Sequence, residues 1–328
     1  MIVISEAVAR QLLNMSDAID AMTEMFRAID SKRALAFPLV REQIEERSAI
    51  FSVKSGACSS GNILGLKTGG YWTENTIRGL SNHQSATVLL NPKTGQPLAL
   101  VSSNYLTAMR TAAVAGLATD LLSRANSSVM GIVGAGAQAV FQIEAILAVR
   151  PIKKLIIASR TVESARRLGE RAKLLGIQDI TIGSVADAVK AADVLTTITP
   201  AKQAFVDLEA VKAGAHINAM GSDTAGKQEL DPSLLHVARV FVDDWTQASN
   251  VGECQHAVTE WGMREQDLAG NVGSLVAESV KGRVKVDDIT VFDSTGLALQ
   301  DLSVARLVVD RASRHGLGNE VELCSPDQ

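Results

Sequence analysis

The sequence has few of the residues that mark metal-binding or disulfide-linked proteins. Its three cysteines, Cys58, Cys254 and Cys324, lie far apart and form no CxxC pair. This spacing favours reduced thiols over a disulfide framework. No His/Cys cluster has the spacing of metal ligands either, so we expect no catalytic metal.

Positive charge and long apolar runs are also scarce. The net charge of −4 and the pI of about 5.8 give no electrostatic basis for binding nucleic acid or an anionic membrane. Residues 1–19 contain acidic side chains and do not resemble a signal peptide, and no segment reaches the ~18 consecutive apolar residues of a spanning helix. We therefore expect a cytoplasmic protein with no nucleic-acid or membrane partner.

What remains is the composition of a globular protein with a large core. The 328 residues are 46% hydrophobic but only 4% aromatic, so aliphatic side chains must fill most of the interior. A chain of this length is long for a single core, and we expect two domains.

One of these domains follows from an alternation of short apolar runs with helical patterns. The alternation is typical of a parallel sheet wound with helices on both faces, and we assign residues 115–302 to such a doubly wound α/β domain. The predicted strands are residues 129–133, 155–158, 180–182, 194–198, 216–219, 240–242 and 289–292, and the predicted helices are residues 138–149 and 162–175.

The flanking residues predict an α+β domain in two pieces. An opening helical pattern leads into strand-like runs, and a turn over residues 91–95 makes the last two a hairpin. A helix predicted over residues 302–312 most simply packs back on the first piece, which gives a discontinuous domain of residues 1–114 plus 303–328. The predicted strands here are residues 48–54, 63–68, 86–90 and 98–101.

A glycine-rich turn indicates what the wound domain binds. The first strand of that domain runs directly into Gly134-Ala135-Gly136-Ala137-Gln138-Ala139, which opens a helix. This is the G-x-G-x-x-A fingerprint in its strand–turn–helix context, where the turn and the helix N-terminus hold a pyrophosphate. We therefore expect a Rossmann domain whose dinucleotide contacts include Gly134, Gly136, Ala137 and Gln138.

The end of the second strand bears on which nicotinamide dinucleotide is bound. It carries Ser159, Arg160 and Thr161 where an acid would accept a hydrogen bond from the ribose 2′-hydroxyl of NAD. These side chains better suit the 2′-phosphate of NADP, so NADP is favoured. Alternatively, Arg160 is an ordinary surface residue, and NAD remains open.

A set of motifs in the same order resembles the ornithine cyclodeaminase/μ-crystallin family over nearly the whole chain. The resemblance implies a homodimer, with the Rossmann domain inserted into a discontinuous domain that binds substrate and forms the dimer. It also implies an NAD(P)-dependent oxidoreductase acting on C=N or CH–NH bonds. The motifs are FPLVR at residues 37–41, GLK at 65–67, LTAMRTAA at 106–113, GAG at 134–136 and GSDTAGKQEL at 221–230.

Further stretches resemble the iminosuccinate reductase branch of that family, which adds hydride and a proton to iminosuccinate and forms L-aspartate. Other members leave alternatives open: an ornithine- or lysine-type cyclodeaminase that uses bound NAD, a pyrroline-2-carboxylate reductase or alanine dehydrogenase, and a non-catalytic relative that only binds cofactor. The stretches are KTGGYW at residues 67–72, NHQS at 82–85, KQELDP at 227–232 and GECQHA at 252–257.

Imine reduction needs a proton donor and a clamp for the α-carboxylate beside the nicotinamide. Arg41 and Arg110 are the candidate clamp, because a guanidinium offers two parallel donors to a carboxylate. Lys67, among these cations, is expected to have a lowered pKa and to hydrogen-bond substrate or donate a proton. Asp223 resembles the family's acid that handles the proton at the substrate nitrogen. Taken singly, each is as readily a solvated, turn or capping residue.

A second substrate carboxylate would need a further cation or amide group. Lys54, His83 and Gln84 are the candidates, with His83 assigned to the substrate. Lys227 resembles a family lysine near the cofactor, and the alternative is a surface pair between Lys227 and Glu229. The remaining residues that the resemblance places near the cofactor are Asn82, Arg110, Thr111, Thr199, Met220, Ser222, Lys227 and Ser294.

Overall fold

The structure, a computed structural model, describes residues 1–45 and 49–323. The chain divides into two compact units, Met1–Thr111 with Leu297–Gln328, and Ala112–Gly296. The sequence prediction divides it after residues 114 and 302. Of the cysteines, Cys58 and Cys254 are free and buried, and Cys324 lies outside the described residues.

The first unit is built on an eight-stranded sheet in the order β18-β1-β7-β6-β5-β4-β2, with β3 also paired to β4. Neighbouring strands are antiparallel except for β1 beside β7. The strands are β1 (Ile2–Ile4), β2 (Ala34–Ala36), β3 (Val40–Ile44), β4 (Ala49–Cys58), β5 (Ile63–Trp72), β6 (His83–Leu90), β7 (Pro97–Ser102) and β18 (Asn319–Glu320).

Helices complete the first unit, and the last of them lies against the centre of its sheet. This helix, α11 (Ala298–His315), contacts β4, β5 and β6. Its first five residues are all buried, including the polar Gln300 and Asp301. The other helices are α1 (Glu6–Leu12), α2 (Met15–Asp30) and the start of α3 (Asn104–Leu122), which continues into the second unit.

The second unit contains an eight-stranded sheet in which every neighbouring pair is parallel, in the order β10-β9-β8-β11-β13-β17-β15-β16. Two separate clusters of buried aliphatic side chains pack in this unit. The predicted doubly wound, Rossmann-type α/β fold is thus confirmed. The strands are β8 (Val129–Val133), β9 (Lys154–Ala158), β10 (Asp179–Ile182), β11 (Val194–Thr197), β13 (His216–Ala219), β15 (Arg239–Val242), β16 (Gly270–Asn271) and β17 (Thr290–Asp293).

The order of strands reverses between β8 and β11, the point at which doubly wound sheets hold their ligands beyond the carboxyl ends of the strands. A separate two-stranded sheet pairs β12 (Lys202–Val206) with β14 (Gln228–Leu230). The helices are α4 (Ala139–Val149), α5 (Val162–Leu174), α6 (Val185–Ala191), α7 (Pro232–Val237), α8 (Trp245–Val251), α9 (Cys254–Trp261) and α10 (Val272–Val276).

The described residues contain neither a membrane-spanning helix nor a metal-binding cluster. Within residues 1–45 and 49–323, no helix is long and apolar enough to cross a membrane. The same residues contain no group of three or more His, Cys, Asp or Glu side chains arranged to hold a metal ion.

Candidate active site

Two of the predicted site residues meet at a buried carboxylate in the first unit. Lys67 on β5 and Arg110 on α3 each donate a hydrogen bond of 3.1 Å to the same oxygen, Asp301 Oδ1. All three are buried, Asp301 with only 1% of its surface exposed. Arg110 Nη1 also donates to Gln300 Oε1 at 2.7 Å. Sequence reasoning found the two cations and missed the acid between them.

The surroundings of Lys67 in this cluster bring its pKa close to neutral pH. Burial lowers the pKa of Lys67 to about 8, as expected for a lysine among cations, although Asp301 opposes the change. Burial by itself would raise the pKa of Asp301, but Arg110, Lys67 and Lys54 lower it to about 2. Asp301 is therefore ionised at neutral pH, while Lys67 can both hold and release a proton there.

The register of the first sheet brings further candidates to the face that carries Lys67. Lys54 pairs directly with Lys67, and Arg41 lies across from Ser52, two residues before Lys54. His83 pairs with Tyr71, four residues beyond Lys67. Because directly paired residues share a face and side chains alternate along a strand, Arg41, Lys54, Lys67 and His83 all belong to one face.

His83 is half-buried on this face and is neutral at physiological pH. Burial, together with the nearby charges of Lys67 and Arg110, lowers the pKa of His83 to about 4, against the charge of Asp301. The neutral ring can hydrogen-bond a substrate carboxylate through its single N–H.

Gln84 lies on the opposite face from Lys67, contrary to the sequence prediction. It pairs with Gly70, one residue out of step with Lys67 and Tyr71, and a shift of one residue reverses the face of a strand. Its side-chain amide is engaged with Ser81 O and with the side chain of Asn104.

Two predicted cofactor residues of the first unit have structural partners. Asn82 accepts from Thr76 N and donates to the Tyr71 hydroxyl, so it orders the loop that precedes β6. Thr111 follows Arg110 on α3 and is half-buried.

In the second unit, the glycine turn has the geometry that the fingerprint predicts. Gly134 has φ +112°, and a Cβ there would lie 2.4 Å from Ile198 O, so no larger residue fits. A Cβ on Gly136 would meet no atom within 4 Å, which leaves open space over the turn. Ala137 and Gln138 complete the turn before α4 begins at Ala139. The arrangement fits a dinucleotide pyrophosphate, because the backbone is free to approach it at Gly136.

A cavity of about 230 Å³ adjoins this turn and is lined by residues 135–137, Ser164, Arg167 and Arg171. It lies where α5 begins, just after Ser159 and Arg160, and Thr161 caps that helix by accepting from Ser164 N. Arg160 is exposed. Sequence reasoning missed Arg167 and Arg171 because both fall on the polar side of an amphipathic helix, where a solvated charge is the usual interpretation.

Asp223 lies in the loop that follows β13, together with several predicted cofactor residues. It is exposed and forms an ion pair of 2.6 Å with Lys227. Ser222 is fully buried and donates to Lys227 O, and Met220 N donates to Thr197 O. The loop is thus ordered by its own contacts. Since Asp223 belongs to the second unit, its action on a substrate beside Lys67 remains a prediction.

The alternative of a surface pair between Glu229 and Lys227 is excluded, because Glu229 is fully buried. Its carboxylate accepts from Thr197 Oγ1 at 2.7 Å, Thr199 N at 2.6 Å and Gly221 N at 2.9 Å. It therefore ties together the carboxyl ends of β11 and β13. Burial raises the pKa of Glu229, against these hydrogen bonds.

Other buried acids hold the neighbouring loops in the same way. Glu253 accepts from the backbone N–H groups of Glu229 and Leu230. Asp243 accepts from Thr295 N and Gly296 N, and the hydroxyl of Ser294 lies 3.4 Å from it. Together these acids fix the strand ends where a nicotinamide would lie in a doubly wound fold.

Comparison with known proteins gives one family over almost the whole chain. The model of the ornithine cyclodeaminase/mu-crystallin family matches residues 1–316. The iminosuccinate reductase of Paracoccus denitrificans is 39% identical over 324 residues, which cover 98% of this chain and 100% of that protein. The family resemblance predicted from the motifs is confirmed.

Solved structures give the same result. The iminosuccinate reductase of Paracoccus denitrificans in complex with NAD⁺ superimposes with a TM-score of 0.94, covering 98% of this chain and 99% of that one. The Δ1-pyrroline-2-carboxylate reductase of Thermococcus litoralis with NADH and L-proline also gives 0.94, at 30% identity and coverage of 98% and 100%. An archaeal alanine dehydrogenase dimer with bound NAD gives 0.94, at 33% identity and 99% coverage of both chains.

Proposed function

We propose that this chain, which belongs to the ornithine cyclodeaminase/mu-crystallin family, reduces a small α-imino acid to an amino acid with a nicotinamide dinucleotide as reductant. The observation that carries the proposal is the buried cluster of Lys67, Arg110 and Asp301, in which burial lowers the pKa of Lys67 to about 8. A lysine in this state can donate a proton at neutral pH.

The reaction follows from the chemistry of these side chains. Arg110 and Arg41 bind the α-carboxylate of the imino acid, and Lys67 donates a proton to the imine nitrogen. A bound reduced nicotinamide supplies the hydride that adds to the imine carbon. Asp223 acts as the acid that exchanges a proton with the same nitrogen. The remote contacts to the carboxylate hold the reacting carbon in place.

The charge around Asp301 favours a dicarboxylic substrate. Arg110 lies in the cluster, and the sheet face that carries Lys67 also carries Arg41 and Lys54. A substrate with two carboxylates can pair with more of these cations than a substrate with one carboxylate can. We therefore favour iminosuccinate, reduced to L-aspartate, with His83 and Lys54 binding the second carboxylate.

NADPH is the favoured reductant, with NADH as the alternative. Arg160 follows the second strand of the wound sheet, and Arg167 and Arg171 line the cavity beside the glycine turn. Guanidinium groups in this position suit a 2′-phosphate. The solved relatives contain NAD⁺, NADH or NAD, and these complexes support NADH as the alternative.

The two units take separate roles in this proposal. The unit of Ala112–Gly296 binds the dinucleotide, and the other unit binds substrate and forms a homodimer. A group of exposed apolar side chains near one edge of the first sheet supports the dimer, because apolar residues exposed as a group, unlike single ones, mark an interaction surface. They are Leu35, Phe37, Leu39, Val40 and Ile44. Analytical ultracentrifugation tests this assembly, and a monomer at micromolar concentration contradicts it.

A cofactor oxidation assay tests the activity. Oxaloacetate and ammonia, which form iminosuccinate in solution, should drive oxidation of NADPH or NADH with formation of L-aspartate. Pyruvate with ammonia and Δ1-pyrroline-2-carboxylate, each with one carboxylate, should react more slowly. The proposal fails if none of these imines is reduced, and release of ammonia from ornithine without net cofactor reduction would indicate a cyclodeaminase instead.

A further inference from the structure

Asp301 has three features that the proposed reaction does not by itself require. The first is its position between three elements of the first unit. It joins β5 to α3, because Lys67 and Arg110 donate to one of its oxygens. It stands in the first turn of α11, so a third element fixes its position. Thr107 Oγ1 lies 3.5 Å from the same oxygen.

The second feature is a pair of buried polar atoms without a hydrogen-bond partner. Asp301 Oδ2 and Gln300 Nε2 are both buried and both unpaired within the described part of the chain. A buried polar atom left unpaired destabilises the folded state. Within the protein these two atoms are exceptions to the pairing of buried polar groups, and a functional role is one explanation for such an exception.

The third feature is the charge that surrounds Lys67. Arg110 on α3 and Lys54 on β4 act on Lys67 from separate elements. Arg41 on β3 and the neutral, partly buried His83 on β6 share the sheet face. Burial, Arg110 and Lys54 each favour the neutral amine of Lys67, and Asp301 opposes them. Without the charge of Asp301, Lys67 would lose its proton at a lower pH.

We propose that Asp301 is the positioning residue of the reaction, which holds Lys67 and Arg110 against each other and keeps Lys67 protonated until substrate is bound. This inference rests on the proposed function. In the step that it supports, the Lys67 Nζ–H bond breaks and an N–H bond forms on the imine nitrogen. The hydride comes from the reduced nicotinamide, and solvent returns the proton to Lys67 after product leaves.

The main test is Asp301→Asn, which removes the charge and keeps the side-chain shape. We expect the alkaline limb of kcat/KM to move to lower pH by about one unit or more, and kcat at pH 8 to fall by about 10²-fold, the lower range for loss of a proton donor. Affinity for NADPH, measured by fluorescence titration, should remain unchanged. Asp310→Asn is the matched control, since Asp310 lies on the same helix and pairs with Arg306 instead.

A second readout needs no turnover. Acylation of Lys67 by acetic anhydride, followed by peptide mass spectrometry across pH, reports the titration of its amine. The pH of half-maximal labelling should be lower in Asp301→Asn than in the wild type. Equal values in the two proteins overturn the inference even if the wild type reduces imines. If the wild type reduces no imine but the labelling pH moves, the proposed function fails and the coupling of Asp301 to Lys67 stands.

Asp301→Glu provides a variant that keeps the charge. It should retain the labelling pH of the wild type while kcat falls and KM for the imino acid rises, because the carboxylate is displaced by one methylene from both cations. If Asp301→Asn does not fold, the test depends on Asp301→Glu, in which kcat and KM change while the labelling pH does not. A labelling pH as low as that expected for the asparagine variant would contradict the proposal.

Discussion

The two units bury charge in opposite ways. The first buries two cations, Lys67 and Arg110, around one carboxylate. The second buries carboxylates at its strand ends, and Glu229 and Glu253 accept mainly from backbone N–H groups. A carboxylate held by the backbone fixes the course of the chain. A cation held by another side chain keeps its remaining N–H donors for a substrate.

The direction of the pKa shifts follows the same division. Burial raises the pKa of Glu229, and it raises the pKa of Asp293 to about 7, so these acids are less charged than exposed ones. Burial lowers the pKa of Lys67 to about 8, while its neighbours hold the pKa of Asp301 at about 2. The cluster of Lys67, Arg110 and Asp301 therefore keeps its charges near neutral pH, in the unit where we propose that substrate binds.

The largest expected effect comes from breaking the cationic side of this comparison. Lys67→Ala removes the proposed proton donor, so kcat should fall by about 10²–10⁴-fold. Binding of NADPH should be nearly unchanged, because the glycine turn belongs to the other unit. Steady-state assays and fluorescence titration measure the two quantities. Lys93→Ala, at an exposed turn, is the control, and unchanged turnover in Lys67→Ala would remove the mechanism.

The next effect comes from breaking the acidic side. Glu229→Ala leaves Thr197 Oγ1, Thr199 N and Gly221 N without their acceptor. Because each buried unpaired group costs about 1–3 kcal/mol, urea denaturation should show a loss of unfolding free energy of at least that size. The exposed Glu209→Ala should be neutral. A stable variant with normal cofactor affinity would mean that Glu229 does not fix these strand ends.

A smaller effect sharpens the comparison by testing the exposed cations of the second unit. Arg160→Ala should reduce the binding free energy of NADPH by about 1.5–3 kcal/mol, the contribution of a hydrogen bond to a charged group. It should hardly change the Kd for NADH. Arg167→Gln should act in the same direction more weakly, since Glu163 already pairs with it. Arg166→Gln is the control, because Arg166 is exposed and does not line the cavity. Equal losses for both cofactors would favour NAD.

The sequence predicts the parts of this molecule that depend on local pattern. Seven strands of the wound sheet and the turn at Gly134 follow from neighbouring residues, and the structure has them within one or two positions, whereas the edge strand β16 was not predicted. Lys67 and Arg110 were identified by family resemblance. Asp301 was missed because Arg110 lies 191 residues away from it, and no local pattern reports such a pairing.

The start of α11 illustrates the same limit. The sequence predicts this helix from residue 302, whereas it begins at Ala298. Gln300 and Asp301 fall in the missed turn, where two polar residues after a Ser-Thr-Gly segment suggest a loop. Burial decides Glu229 in a similar way. It stands two residues after Lys227, which suggests a surface pair, but the fold buries it against the ends of β11 and β13.

The smallest net effect is expected on the pH dependence of stability. Two buried groups of the second unit, His216 and Asp293, contribute to it in opposite senses. Burial lowers the pKa of His216 from 6.5 to about 3, with the ring bonded to Thr290 Oγ1 and Asn218 Oδ1. Because the folded pKa is below the unfolded one, the contribution of His216 is complete above about pH 6.5 and is lost as the pH falls toward 3. Asp293, with its pKa raised to about 7, acts in the opposite sense and loses its contribution as the pH rises from 3.8 to 7.

These opposing contributions can be separated with His216→Gln, which keeps hydrogen-bonding groups and removes the titration. Urea midpoints measured between pH 7 and pH 4 should fall less steeply with acid in this variant than in the wild type. His315→Gln, at the exposed end of α11, should leave the slope unchanged. Since protonation of a buried imidazole would place an uncompensated charge inside the second unit, identical slopes in His216→Gln and the wild type would show that acid opens this unit through its carboxylates instead.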